Sequence, residues 1–218
     1  MNLTKTLIIG IAGIGLIALF LFMMGEQGVV PGNDDTVLPD TVGVTEIDWD
    51  GSEVRDQTGA TLFSADDIPS NMRVSENAEF GVAGPIQGAL LSPDNETIAV
   101  TTGGVAHDGG WLYDIETQAF SPAVFQYGGG VWAIAWDPSA SHIIFKVSTP
   151  AETTLLRVVS RDAQEEYVAD RGFTISVPEE DEPPFTYTFS QWRDENSVCG
   201  AFNDMEWCVD IRSQEVVE

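Results

Sequence analysis

Residues 7–24 read LIIGIAGIGLIALFLFMM, and no charge occurs from Thr6 through Gly25. As a helix rising 1.5 Å per residue, such a run spans about 27–30 Å, enough for the hydrocarbon core of a bilayer. Whatever folds in this chain must therefore fold on one side of a membrane. A cleaved signal peptide is the competing reading, but its apolar region typically runs about 7–15 residues and ends at a small-x-small site. This run is longer and ends Phe22-Met23-Met24-Gly25-Glu26, with no cysteine after it to take a lipid. Lys5 precedes the run, whereas Glu26, Asp34 and Asp35 follow it. The positive-inside rule then leaves the N-terminus in the cytoplasm and places the rest outside. Gly10, Gly13 and Gly15 do not have GxxxG spacing, so no helix-dimerisation face is indicated. The expected organisation is a signal anchor over residues 1–25, a flexible acidic linker over 26–45, and one extracytoplasmic domain over 46–218.

The charge of the chain narrows its partners. There are 35 Asp and Glu against 9 Lys and Arg, a net charge of −26 and a pI near 4.1. Like charge repels phosphate and offers no counterion release, so nucleic acid is excluded as a partner. The hydrophobic fraction of 43% is ordinary and supports a buried core. Self-repulsion at this charge destabilises a compact fold in dilute salt, but the Debye length falls to about 3 Å at 1 M and removes most of that penalty. Lysine occurs only at Lys5 and Lys146. The carboxylate-rich, lysine-poor composition resembles that of halophilic archaea and their viruses, which implies habitat rather than activity.

From Glu46 onward, short alternating apolar runs are broken by Gly, Pro, Asp and Asn, and no long amphipathic helix is visible; the domain is expected to be all-β. Three stretches are alike. ALLSPDNETIAV at 89–100 is followed by GWLYDI at 110–115, IAWDPSASHIIF at 134–145 by TLLRVV at 154–159, and SQWRDENSVCGA at 190–201 by EWCVDI at 206–211. Each gives a strand ending in a large apolar residue, a polar turn, a second strand and a third. Leu91, Trp136 and Trp192 hold equivalent places, and an acidic, proline-rich insert at 178–184 lengthens the last interval. A period in the forties with three or four strands per unit is the signature of propeller blades. The S-P-D unit at 92–94 and the W-D-P unit at 136–138 resemble blades of WD40-like and TolB-like β-propellers, over residues 89–217. The resemblance implies a ligand- or protein-binding scaffold. Three copies cannot close a ring, which leaves a divergent fourth unit at 46–80, a pairing of two chains, or an open stack of antiparallel β-meander sheets. Any meander of hairpins is the competing origin of the spacing.

Few residues suggest chemistry. Cys199 and Cys208 flank Asn203-Asp204, which reads as a two-residue hairpin turn. Counting outward puts the two cysteines opposite each other at a non-hydrogen-bonded pair, with Cα atoms about 4.5 Å apart, so a structural disulfide is expected. Glu46-x-Asp48-x-Asp50-Gly51 is similar to the start of a calcium loop, which makes Glu46, Asp48 and Asp50 the candidate metal ligands. The loop's twelfth position falls on Gln57, which supplies no bidentate carboxylate, and alternating acids also suit the wet face of a strand. No other cofactor is indicated. His107 and His142, the two histidines, are read as loop or strand-face residues, since neither a G-x-S-x-G elbow nor a set of zinc ligands accompanies them. The glycines at 103–104, 109–110 and 128–130 lack the Lys-Ser/Thr of a phosphate loop and read as turn glycines. Asn95-Glu96-Thr97 is an N-glycosylation sequon on a surface turn; Asn2-Leu3-Thr4 also matches, but on the cytoplasmic side.

No catalytic set emerges. The sequence is read as a membrane-anchored, extracytoplasmic, non-enzymatic binding or assembly protein of a cell envelope or virion. Its expected partners are the membrane, through the N-terminal helix, other envelope or virion proteins, and a second copy of itself. The alternative is an extracytoplasmic hydrolase working through its carboxylates.

Overall fold

The computed structural model describes residues 43–82, 84–162, 167–175, 186–202 and 205–217. The expected membrane span, the linker as far as 42, the insert at 178–184 and the Asn203-Asp204 turn lie outside them. One compact unit covers Val42–Glu218. It begins slightly before the expected boundary at Glu46: Val44 is buried, and the Thr45 N–H donates to Gln57 Oε1. No helix among the described residues is long and apolar enough to cross a membrane.

The unit is all-β, with five antiparallel sheets and no closed barrel. β1 (Ile47–Trp49), β2 (Glu53–Asp56) and β3 (Thr61–Ser64) form a small sheet, and β4 (Asn71–Ser75) with β5 (Ala78–Gly81) a hairpin. Segment 46–80 is thus two small sheets rather than a fourth copy of the repeat. Three four-stranded meanders follow. The first is β6 (Ile86–Leu91), β7 (Thr97–Gly103), β8 (His107–Asp114) and β9 (Ala119–Tyr127). The second is β10 (Gly130–Trp136), β11 (His142–Ser148), β12 (Thr154–Ser160) and β13 (Phe173–Thr174). The third is β14 (Tyr187–Trp192), β15 (Ser197–Phe202), β16 (Met205–Asp210) and β17 (Glu215–Val217). These sheets carry the three repeats seen in the sequence. Leu91, Trp136 and Trp192 end the first strand of each and pair with Ile98, Ile143 and Val198. The fourth strands complete the units.

Alternation along the strands decides how the sheets stack. Ile98, Val100, Trp111 and Tyr113 face Val54, Phe63, Ile68 and Met72 of the small sheets, while Ala99 and Leu112, on the opposite face, meet Val131, Trp136, Ile143 and Phe145 of the second meander. The second meander repeats the device, turning Ile144, Leu156 and Val158 toward Tyr187, Val198, Phe202 and Trp207 of the third. With packing on both faces, β7 is buried at all seven residues, its three threonines included. Gly109 and Gly110 lie inside β8 and not in a turn, a correction to the sequence reading. A Cβ on Gly110 would stand 2.9 Å from the Phe145 ring, so a side chain there would block the packing of β8 on β11. The outer face of the third meander is different. There alternation places Gln191, Cys199, Glu206, Cys208 and Glu215, a small and polar surface suited to water.

A tryptophan ties each of the last two meanders to the one before. Trp136 Nε1 donates to the Leu90 carbonyl at 3.1 Å, and Trp192 Nε1 donates to the Ala135 carbonyl at 3.4 Å. Leu90 precedes Leu91, and Ala135 precedes Trp136, so the same donor reaches the same acceptor one repeat back. β10 and β14 each skip a residue in their ladders two positions before the tryptophan, and β6 skips one near its start.

The acidic residues that shape turns are a second repeated device. Asp114 accepts from the Thr117 hydroxyl at 2.6 Å and its N–H at 2.7 Å, and Asp210 accepts from the Ser213 N–H at 2.9 Å and hydroxyl at 3.2 Å. Asp50 and Asp56 close turns with Ser52 and Thr58, and Asp67 bonds Ser64 at the start of the 3₁₀ turn Ala65–Asp67. Side-chain bonding of this kind is what makes Asp a turn residue. The carboxyls of Asp50, Asp56, Asp67 and Asp114 are held below the ordinary range, chiefly by those hydroxyls, and that of Asp210 chiefly by the Ser213 N–H.

Two outcomes are expected. Trp136→Phe should cost about 1–2 kcal/mol, the loss of one hydrogen bond that leaves a carbonyl unmet, and Trp136→Ala about 3–5 kcal/mol, measured by urea denaturation. A Phe variant as stable as the parent would remove the inter-sheet bond from the account. The second concerns acid. A depressed folded pKa contributes stability that is complete above the unfolded value of about 3.9 and is lost as pH falls through the folded value. Ordinary surface carboxylates protonate first and relieve repulsion. In low salt, the melting temperature should therefore rise from pH 7 to a maximum near pH 4–5 and then fall, and Asp114→Asn with Asp210→Asn should flatten the acid limb. A steady decline from pH 7 would contradict this.

Candidate functional site

The three candidate metal ligands do not converge. Glu46 precedes β1, Asp48 is exposed on it opposite Arg55, and Asp50 begins the following turn. The Asp50 carboxylate accepts from the N–H groups of Ser52 and Glu53 at 2.8 and 3.1 Å and from the Arg55 guanidinium at 3.2 Å. A cation there would compete with an arginine. Gln57, at the loop's twelfth position, instead ties down the start of the domain through Gly43 and Thr45. Among the described residues no three His, Cys, Asp or Glu side chains gather where they could hold a metal ion. Glu46, Asp48 and Asp50 thus stand along a short strand and in the turn that follows it.

Cys199 and Cys208 face each other in the β15–β16 ladder, joined by a disulfide with Cα atoms 4.1 Å apart. The register, Phe202 opposite Met205 and Gly200 opposite Trp207, is the one counted from the turn. Asn95 is exposed at the tip of the β6–β7 turn.

His107 and His142 are the first residues of β8 and β11. His142 Nδ1 lies 3.4 Å from Asp137 Oδ2, and the Ser139 hydroxyl donates to the same oxygen at 2.9 Å. Ser, His and Asp therefore meet in one turn, but in the wrong order for hydrolysis. A catalytic triad needs the imidazole between acid and hydroxyl so that it can take the hydroxyl proton. Here the carboxylate sits in the middle, fully buried, and also accepts the Ser141 N–H at 2.8 Å. The group closes the β10–β11 turn. His107 Nδ1 lies 3.0 Å from the Gly81 carbonyl and can only donate to it, and its ring sits among Phe80, Phe125 and Tyr127 with centroids 5.0–5.4 Å away. Asp108 is buried, and desolvation raises its pKa.

A cleft of about 570 Å³ lies beside the β8–β9 turn, lined in part by Glu96, Asp114, Phe120, Arg161, Asp162 and Arg171. Its wall belongs to the segment after β12, which returns across the first meander and places Val168 in that sheet's core. Arginines hold this segment at several points. Arg157 donates to the carbonyls of Val168, Ala169 and Arg171 at 2.8, 3.3 and 2.7 Å. Arg171, 1% exposed, donates to the Pro122 carbonyl on β9 and to that of Arg161 at 3.2 Å. Arg161 pairs with Asp94, with Glu96 at 3.6 Å and with Asp162 at 3.2 Å, and the Arg73 guanidinium stands 5.0 Å over the Tyr167 ring. Four of the chain's nine basic residues thus fasten one segment over β9, an outer strand with an otherwise unpaired edge. The sequence reading missed this strap. Its one signal was the crowding of Arg157, Arg161 and Arg171 in a chain otherwise poor in cations.

The cleft offers carboxylates, hydroxyls and bound guanidinium groups on an apolar floor. That suits recognition of a polar ligand by hydrogen bonds and provides no activated nucleophile.

No protein-family model matches the chain, and no curated protein matches it in sequence. Solved structures do. TolB from Acinetobacter baumannii aligns over 75% of this chain and 47% of its own length, at 13% identity and a TM-score of 0.38. An uncharacterized protein from Listeria monocytogenes aligns over 81% of this chain and 55% of its own length, at 14% identity and a TM-score of 0.43. Oligopeptidase B from Trypanosoma brucei aligns over 78% and 31%, at 12% identity and a TM-score of 0.34. The chain spans between about a third and about half the length of these structures.

Proposed function

We propose that the chain is a membrane-tethered, extracytoplasmic binding or assembly module, non-enzymatic, of the cell envelope or virion of a salt-adapted organism. We propose further that its three meanders form an open, propeller-like stack. One observation carries the reading: six of the eight cations that follow residue 42 are engaged within the folded unit. Arg55 bonds Asp50 and Glu53, Arg157 and Arg171 bond main-chain carbonyls, and Arg161 pairs with Asp94. Arg73 and Lys146 lie over the rings of Tyr167 and Trp132. The surface offered to partners is consequently one of carboxylates, which favours cationic partners and hydrated salt over phosphate. The acids with the strongest local bonding close turns, and the Ser139–Asp137–His142 group lacks the order that activates a nucleophile.

Protease added to intact cells is expected to remove the domain and leave a short protected N-terminal fragment; full protection of the domain would overturn the topology. Salt tests the habitat. The unit from residue 42 should gain stability up to molar salt. Most of the change should fall below a few hundred millimolar, because the Debye length shrinks from about 30 Å at 0.01 M to about 3 Å at 1 M. Exposed ion pairs such as Arg212–Glu195, 4.0 Å apart, weaken with salt and contribute little against this trend. A melting temperature independent of salt would remove the salt-adapted reading.

A further inference from the structure

We infer that Asn95 carries an N-linked glycan and that the sugar is attached before the β6–β7 turn closes. This rests on the extracytoplasmic placement proposed above. Asn95-Glu96-Thr97 is the one acceptor sequon in the folded unit, and Asn95 is exposed at the tip of the turn with its side-chain amide in no hydrogen bond among the described residues. The backbone does not explain the asparagine. Asn95 has φ +64°, a left-handed conformation that asparagine tolerates well. Four other non-glycine residues share that region, however, and they are Gln118, Ala140, Glu152 and Gln214. Ala140 holds the corresponding turn of the second meander, so the fold accepts alanine where the first meander has asparagine.

The surroundings can take a sugar. Pro93, Asp94, Asn95 and Glu96 are exposed, and the 570 Å³ cleft lined by Glu96 and Thr97 opens next to the tip. The order of events follows from Thr97. A glycan-transferring enzyme reads the hydroxyl two residues beyond the asparagine, yet Thr97 is 4% exposed in the folded chain. Its N–H donates to Ser92 Oγ at 3.0 Å, and Ser92 Oγ in turn donates to Asp94 at 2.6 Å. Arg161 pairs with Asp94 and locks the turn from outside. The acceptor is therefore readable while the chain is still unfolded and hidden afterward. In the transfer, the Asn95 amide nitrogen attacks the anomeric carbon of a lipid-linked oligosaccharide donor. A carbon–nitrogen bond forms, the carbon–oxygen bond to the lipid phosphate breaks, and the amide gives up one proton. Nothing is oxidised or reduced.

The test uses the full chain produced in a host that N-glycosylates its surface proteins, purified from membranes and digested for mass spectrometry. The Asn95 peptide should carry a sugar mass, lost in Asn95→Gln and Thr97→Ala and retained in Thr97→Ser. Protease accessibility is measured on the same cells. An accessible domain with an unmodified Asn95 peptide overturns this inference alone, whereas a protected domain overturns the extracytoplasmic placement and the glycan with it. Presented in vitro to the transferase and a lipid-linked donor, the folded unmodified domain should be refractory, and a peptide of residues 90–100 should be accepted. Equal modification of both would overturn the proposed order.

Discussion

The indole N–H of Trp136 on the carbonyl of Leu90, repeated by Trp192 on Ala135, is the contact on which the stack depends. Each meander begins with a strand paired on one side only, and the other edge offers unpaired main-chain groups to any passing strand. In the first two meanders the following repeat supplies the cover, because its tryptophan reaches back and satisfies a carbonyl at that edge. Ladder irregularities in β6, β10 and β14 add local twist to the same strands. The same tryptophans pack in the seams, so one side chain sets both the spacing of neighbouring sheets and the protection of the edge between them. The outer edge of the first meander is protected differently, by the arginine-fastened strap over β9.

The features legible in the sequence are those fixed by neighbours in the chain. Strand alternation, the polar turns after Leu91, Trp136 and Trp192, and the register of Cys199 against Cys208 all follow from local spacing, and the sheets carry them where the spacing puts them. The missed features depend on distant contacts. Gly109 and Gly110 resemble a turn until Met72 and Val82 are seen to lie against Gly109, and Phe145, thirty-five residues after Gly110, to need the space above Gly110. The strap has no hydrophobic period of its own, since it is held by guanidinium groups on main-chain carbonyls, and no sequence spacing encodes such a bond. Glu46, Asp48 and Asp50 fit a calcium pattern that alternating acids on the wet face of a strand also produce, and the sequence does not show where the Asp50 oxygens go, which is to the N–H groups of Ser52 and Glu53 and to Arg55.

The acid excess divides into two populations with opposite effects on folding. Asp50, Asp56, Asp67, Asp114 and Asp210 bond to their own turns and favour the folded state in their charged form. Asp94 and Glu53 are paired with Arg161 and Arg55, and the exposed carboxylates without such partners repel one another and oppose folding unless salt screens them. Cations are too few to balance the second population, and their positions show that they do other work. Arg157 is held in the charged state against desolvation by three carbonyls, although burial lowers its pKa. Charge in this chain therefore shapes turns and joins, and leaves the outward potential strongly negative.

The third meander differs from the first two in one face. Inner meanders are apolar on both sides, so each demands a neighbour; the third shows apolar residues to the second and Gln191, Glu206, Glu215 and the Cys199–Cys208 bridge to the other side. A further sheet placed there would desolvate carboxylates for little apolar gain. The disulfide suits this position. Among the described residues this sheet is packed on one face only, and a cross-link between its two central strands adds covalent restraint on the other. Because the seams are already filled by the chain's own repeats, the chemistry of turns, cleft and edges can vary without disturbing the sheets beneath.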